Sequence, residues 1–230
     1  MGTVLVTGAN RGVGLALARH YVAHGHEAVV TIRNPGAADD LSALAKASGR
    51  VRVLQADVTD EAALAAAART LGDSPIDILI CNAGVMSDRG GIADAGHGAA
   101  EWSRVLMANV AGAFLASRAF LPHLRRGKLP KLAFISSIMG SSQHAAGRVL
   151  AYRASKAAMT NLGLNLAIEL KPMGIAVGIY HPGWVRTGIG GEAAPVSAQD
   201  SAAGLVARIN QLSLASTGVL EDYQGHPIAY

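Results

Sequence analysis

Only one of the 230 residues, Cys81, is a cysteine. No internal disulfide framework is therefore available, and a reducing, cytoplasmic setting is expected. Aromatic residues make up 4% of the chain, too few to interleave with its cations as a base-stacking surface requires. Charged residues are scarce at 16%, while half of the chain is hydrophobic, a balance that excludes a disordered, heavily solvated chain. No apolar run approaches the roughly 20 residues of a membrane span, and the N-terminus enters a strand pattern without the basic region or cleavage site of a signal peptide. The net charge of +4 is small and spread out; its densest group, Arg125-Arg126-Gly127-Lys128 with Lys131, follows a helical pattern where cations complement a helix C-terminus. Neither nucleic acid nor membrane is an expected partner. The length suits one domain over residues 1–230 with a substantial core.

What the chain does have is alternation. Thr3–Val6 is a short apolar strand candidate, and Thr7-Gly8-Ala9-Asn10-Arg11-Gly12-Val13-Gly14 follows it directly before a helical pattern that ends near Gly25. Small residues in such a turn let the backbone approach a pyrophosphate at the helix N-terminus, where free N–H groups and the dipole favour anions. Ala28–Ile32 reads as a second strand ending at Arg33. An acidic residue at that place holds ribose hydroxyls, whereas a guanidinium, with Arg11 in the glycine turn, suits a 2′-phosphate. Arg33 as a solvated charge opening the loop through Asn34-Pro35-Gly36 is the plainer alternative. Val51–Leu54 leads to Asp57-Val58 and a helix capped at Thr59 or Asp60, and Ile76–Ile80 leads to Cys81-Asn82-Ala83-Gly84. A long helical pattern covers 102–125, further strands end at Ser137 and His181, and Ser197 opens a last helix before a strand at Gly218–Leu220. Strands alternate with helices without repeat or linker, which predicts an α/β fold: a doubly wound parallel sheet of Rossmann type, about seven strands with helices on both faces. His20, His24 and His26 cluster at the end of the first helix, far from where such sheets bind ligands, so no metal site is expected.

The chemistry is expected around Tyr152 and Lys156, four apart in an Ala-rich helical segment and so on one face. A free phenol ionises near pH ~10, and a neighbouring ammonium favours the phenolate, lowering that value by roughly one to three units. Ser137 ends the strand Lys131–Ile135 and can meet that helix across a crevice; Ser141 and Ser142 are alternatives to it. Cys81 reads as a small buried hydrophobe, and Asn109 as a tolerated polar residue inside its helix. Residues 85–98, with Asp88, Asp94 and His97, are a loop without metal-ligand spacing; 140–150, a flexible one, and 188–197 are the other two that line the substrate's place.

Across essentially its whole length the chain resembles the short-chain dehydrogenase/reductase family, on TGANRGVG at 7–14, Asp57-Val58, CNAG at 81–84, Asn109, Ser137, YRASK at 152–156 and HPGWVRT at 181–187. The short C-terminus and HPGWVRT look most like its subgroup of C-factor, sniffer and small carbonyl reductases. The resemblance implies NADP(H) or NAD(H) as cofactor, and Arg33 and Arg11 point to NADP(H). It implies that Gly8, Asn10, Arg11, Gly12, Val13 and Gly14 shape the pyrophosphate turn and that Asp57, beside Val58, holds the adenine amino group. It places Asn82, Ala83 and Gly84 near the riboses and Pro182, Gly183, Val185 and Thr187 near the carboxamide. Tyr152 is implied as acid/base, Lys156 as the group that lowers its pKa and holds the ribose, Ser137 as the orienter of the substrate oxygen, and Asn109 as the holder of a water linked to Lys156. Two departures stand out: the interval from Ser137 to Tyr152 is about two residues longer than the family's commonest, and Cys81 replaces the more usual asparagine. The implied activity is hydride transfer between the cofactor and a carbonyl or secondary alcohol. A dinucleotide-binding signalling protein is the rival. A homodimer or homotetramer is expected, paired through helices around 102–125 and 152–170 that carry Phe114, Phe120, Ala158, Leu162 and Leu166.

Overall fold

The computed structural model describes residues 1–87, 90–94 and 98–230. Asp88 and His97 lie outside the described residues. The short apolar runs become strands at Thr3–Thr7 (β1), Glu27–Ile32 (β2), Val51–Gln55 (β3), Ile78–Cys81 (β4), Lys131–Ile135 (β5), Ala176–His181 (β6) and Val219–Asp222 (β7). They join one sheet in the order β3-β2-β1-β4-β5-β6-β7, with every neighbouring pair parallel. The central strands are apolar on both sides because both faces are covered; Val6, for example, sits in register between Val30 and Ile80 and is fully buried.

Among the described residues seven α-helices supply the cover: Gly12–Ala23 (α1), Asp39–Ser48 (α2), Glu61–Thr70 (α3), Ala99–Leu106 (α4), Gly112–Leu124 (α5), Leu150–Leu170 (α6) and Ala198–Gln211 (α7). α1, α2 and α7 close one core around Leu17, Tyr21, Leu41 and Leu205. α3, α5 and α6 close the other around Leu64, Phe120, Phe134 and Met159. Burying one side chain such as Phe120 stabilises the fold by roughly 1.5–3 kcal/mol. Asp60 caps α3 by accepting from the Ala63 N–H at 2.9 Å, and Ser197 caps α7.

The structure departs from the expectations in four places. α2 lies where none was anticipated: its apolar stripe is so thin that only Leu41 is fully buried, and its signals are the acidic first turn at Asp39-Asp40 and the left-handed cap at Gly49. The long helical pattern is broken by a π turn at Met107–Ala111 that carries Asn109. The combined helical run Ala99–Leu124, 26 residues, is long and apolar enough to cross a membrane by length and composition, contrary to the expectation; Phe120 and Leu124 within it are fully buried in the core. Finally, Phe120 and Leu166 are spent inside the molecule, so they cannot serve a subunit contact. The large apolar side chains these helices leave at the surface are instead Leu106, Met107, Phe114 and Ile168.

Candidate active site

In open α/β sheets a crevice forms outside the strands' carboxyl ends where the strand order reverses. Here that reversal lies between β1 and β4. A cleft of about 1080 Å³ opens there, and every residue expected to bind cofactor or carry chemistry lines it except Asn109.

At one end, β1 runs through Thr7 into the glycine turn. Gly8 has φ +67°, and a Cβ on it would stand 2.8 Å from the Ala83 Cα. A Cβ on Gly14 would stand 2.6 Å from the Gly8 carbonyl oxygen and 2.4 Å from Asn82 Nδ2. Glycine at both places lets β1, α1 and the end of β4 meet. Asn82 Nδ2 donates to the Thr7 and Gly8 carbonyls at 3.0 and 3.1 Å, and Thr7 Oγ1 accepts from the N–H groups of Asn82 and Ala83, both at 3.0 Å. Asn82 is thus a strut under the turn. Arg11, at the N-cap of α1, makes no side-chain cap, and the first turn holds no acidic residue. The leading N–H groups of α1 are left for an anion. At the lip, Arg33 is 81% exposed and its Nη1 lies 3.8 Å from Asp57 Oδ2, while Asp57 Oδ1 accepts from Thr59 N and Oγ1 at 2.9 and 2.8 Å. This cradle of close backbone, free N–H groups and two guanidinium groups fits a dinucleotide phosphate.

At the other end, Ser137 leaves β5, and Tyr152 and Lys156 face it from α6. Lys156 Nζ lies 5.6 Å from the centre of the Tyr152 ring and donates to the Ile135 carbonyl at 2.9 Å. Ser136 Oγ donates to the Lys156 carbonyl at 3.2 Å, tying the end of β5 to the same turn of α6. Ser137 hydrogen-bonds Tyr152, and its Oγ accepts from the Met139 N–H at 3.1 Å. Ser141 is buried with its hydroxyl unpartnered, Ser142 is exposed, and neither lines the cleft, so geometry favours Ser137.

The electrostatics differ from the expectation. Burial pushes the Tyr152 phenol up to about 12, with the Ser137 hydrogen bond pulling weakly the other way. The direction is set by burial rather than by Lys156, and burial brings the Lys156 ammonium itself down to about 8. The phenol is therefore a held proton at neutral pH, suited to donation. His181, at the cleft wall, is depressed to about 4, chiefly by burial, and stays neutral. Cys81 is fully buried, pushed up to about 12 by burial, and inert.

Asn109 is fully buried and its side chain is spent: Oδ1 accepts from the Val85 N–H at 2.7 Å, and Nδ2 donates to the Val85 carbonyl and to Ser155 Oγ, both at 2.9 Å. It ties the segment after β4 to α6, as π turns at functional sites often do. Sequence reasoning missed Thr7, Ser136 and Ser155 as struts, and Ser87, whose Oγ accepts from the Tyr152 N–H at 3.3 Å at the otherwise uncapped start of α6. Only a hydroxyl near each motif signalled them.

The profile of the short chain dehydrogenase family matches residues 2–197. Among curated proteins, the C-signal of Myxococcus xanthus is 36% identical over 157 residues, 68% of this chain and 93% of that protein. Among solved structures, the NADPH-bound carbonyl reductase from chicken fatty liver aligns over 100% of this chain and 99% of its own, at 31% identity and a TM-score of 0.93. The carbonyl reductase Sniffer of D. melanogaster aligns over the full length of both chains at 28% identity, with the same TM-score. With fold, cleft and motifs in agreement with these likenesses, the chain belongs to the short-chain dehydrogenase family.

Proposed function

We propose that the chain is an NADPH-dependent reductase of a small-molecule carbonyl, with Tyr152 as the proton donor. The observation that carries this reading is one cleft with Tyr152, Ser137 and Lys156 at one end and the glycine turn with Arg33 at the other. The NADPH-bound state of the chicken carbonyl reductase supports the cofactor. When bound, NADPH supplies a hydride to the carbonyl carbon. The Tyr152 phenol gives its proton to the carbonyl oxygen as negative charge develops there, and the Ser137 hydroxyl orients that oxygen. Lys156, held by the Ile135 carbonyl, places an ammonium beneath the ring and would hold a ribose hydroxyl of the bound cofactor. The Asn109 side chain, fully engaged, holds α6 in place, which leaves any water-mediated link to Lys156 to its backbone.

Steady NADPH oxidation with at least one member of a panel of aldehydes, ketones and quinones is the expected result. A chain that binds NADPH but oxidises it with none favours the rival reading, a dinucleotide-binding signalling protein, to which the likeness with C-signal points.

The pH profile follows from the two shifts. Reduction needs the phenol protonated, which holds to about 12, and the ammonium charged, which holds only below about 8. The kcat/KM for reduction is expected to be level from pH 6 to 7 and to fall about tenfold per unit above pH ~8. A profile still level at pH ~9.5 would show that the Lys156 charge does not matter.

Leu106, Phe114 and Ile168 at the surface support a homodimer through α4–α6, and the single buried cysteine supports a reducing compartment. Light scattering at micromolar concentration is expected to give twice the chain mass; a one-chain mass refutes the pairing.

A further inference from the structure

The segment between Ser137 and Tyr152, expected to be flexible, is a wall held by one guanidinium. Arg153 Nε donates to the Arg148 carbonyl at 3.0 Å, and Nη1 donates to the His144 carbonyl at 2.7 Å and more loosely to that of Met139 at 3.4 Å. Those carbonyls fall at the start, middle and end of the segment, which otherwise contains two single 3-10 turns, Ile138–Gly140 and Ser142–His144. Next to its far end, Val149 is pinned twice: its N–H donates to the Gly90 carbonyl at 3.1 Å, and its carbonyl accepts from the Arg153 N–H at 3.0 Å.

Val149 adopts φ 59° and ψ 41°. It is one of two non-glycine residues with positive φ among the described residues. A β-branched side chain is a true outlier in this region, because its Cβ crowds the following carbonyl. Such a conformation persists only where the surroundings over-determine it, and it concentrates where the strain serves a site. Here the pinning comes from the Gly90 carbonyl and the backbone N–H of Arg153, one residue past the phenol, and Val149 lines the cleft together with Ile138, Met139 and Tyr152. A relaxed extended or helical Val149 would aim its isopropyl group elsewhere.

We propose that Arg153 is a positioning residue whose guanidinium clamps residues 139–148 into a fixed wall, and that Val149, held left-handed at the end of that wall by the Gly90 carbonyl and the Arg153 backbone N–H, is a specificity-determining residue that limits the bulk of the carbonyl substrate beside Tyr152. The selectivity half rests on the carbonyl-reductase reading; the clamp and the strain do not.

Three measurements on the full chain test it. Amide hydrogen exchange across 139–149 is expected to be about tenfold faster in Arg153→Ala than in wild type, with the centre of α6 unchanged and partial recovery in Arg153→Lys, the shift that follows from losing one net hydrogen bond. Equal exchange in wild type and Arg153→Ala overturns the clamp. Val149→Gly is expected to melt at or above Val149→Ala, reversing the usual order, since both lose the side chain but only glycine is at ease at positive φ. Val149→Gly melting clearly below Val149→Ala overturns the strain. Both Val149 variants and Arg153→Ala are expected to shift the ratio of kcat/KM for bulky over small ketones upward by about tenfold, the scale on which apolar pockets discriminate, with the Kd for NADPH unchanged. General destabilisation lowers both rates and leaves that ratio alone, so an unchanged ratio overturns the selectivity. If the wild type turns over no carbonyl at all, the reductase reading and the selectivity fall together, while exchange and melting still decide the clamp and the strain.

Discussion

Tyr152→Phe is expected to lower kcat for carbonyl reduction by about a hundred- to ten-thousandfold, the range that a positioned proton donor contributes. The substitution deletes one oxygen and keeps the ring, which is 8% exposed and packed in the cleft wall. The lost group is the only phenol among the cleft's described lining residues. Ser137 cannot replace it, because an aliphatic hydroxyl is a far weaker acid than a phenol. Burial holds the phenol proton far above neutral pH, so the wild-type donor is fully loaded under assay conditions and its loss is felt in full. Cofactor affinity is expected to stay within about twofold, since the interaction removed is made in the transition state. Lys156→Ala is expected to differ in kind: it takes away both the ammonium beneath the ring and the ribose contact, so kcat falls and the Kd for NADPH rises together. Single-turnover rates and fluorescence titrations with NADPH separate the two cases. Comparable turnover in wild type and Tyr152→Phe refutes the assignment of Tyr152.

The parts that could be read from the sequence are those where one residue type has one physical use. A strand, a glycine turn and a helix in succession imply close backbone approach, and the Gly8 and Gly14 contacts show that approach. Tyrosine and lysine four apart on a helix share a face wherever the helix packs. What stayed hidden depends on partners distant in sequence. Ser87 caps the start of α6 across 65 residues, and the Asn109 side chain is spent on Val85 and Ser155. The expected effect of Lys156 on Tyr152 failed because spacing gives proximity but not burial, and burial moves both groups toward their neutral forms. α2 was missed because it is short and its apolar face is mostly alanine, with Leu41 its single fully buried residue. Arg153 drew no role of its own inside YRASK, yet its guanidinium reaches three carbonyls of the preceding segment.

Arg33→Ala is expected to weaken NADPH binding by about ten- to a hundredfold and to leave NADH almost unchanged. A hydrogen bond to a charged group is worth roughly 1.5–3 kcal/mol net, which is that range in Kd. Arg33 stands at the lip where β2 ends, beside Asp57, and the loose 3.8 Å pairing with Asp57 Oδ2 is an exposed contact of about 0–1 kcal/mol that costs little to exchange for a phosphate. With the side chain 81% exposed, solvent screening favours the lower end of the range. NADH lacks the 2′-phosphate, so it loses nothing the guanidinium held. Arg33→Asp is expected to go further, because it repels the phosphate and, with Asp57, doubles the negative charge at the lip while offering the ribose hydroxyls an acceptor. Arg11, on the same cleft, carries the remaining preference, so Arg11→Ala and Arg33→Ala together are expected to cost more than either alone. Screening also means that the preference shrinks between about 0.05 and 0.5 M salt, as an exposed ion contact requires. Dissociation constants for both cofactors, in wild type and Arg33→Ala, at two salt concentrations, are the measurement. Equal wild-type affinities, or a parallel loss of NADH binding in the variant, would reduce Arg33 to a solvated loop charge paired with Asp57.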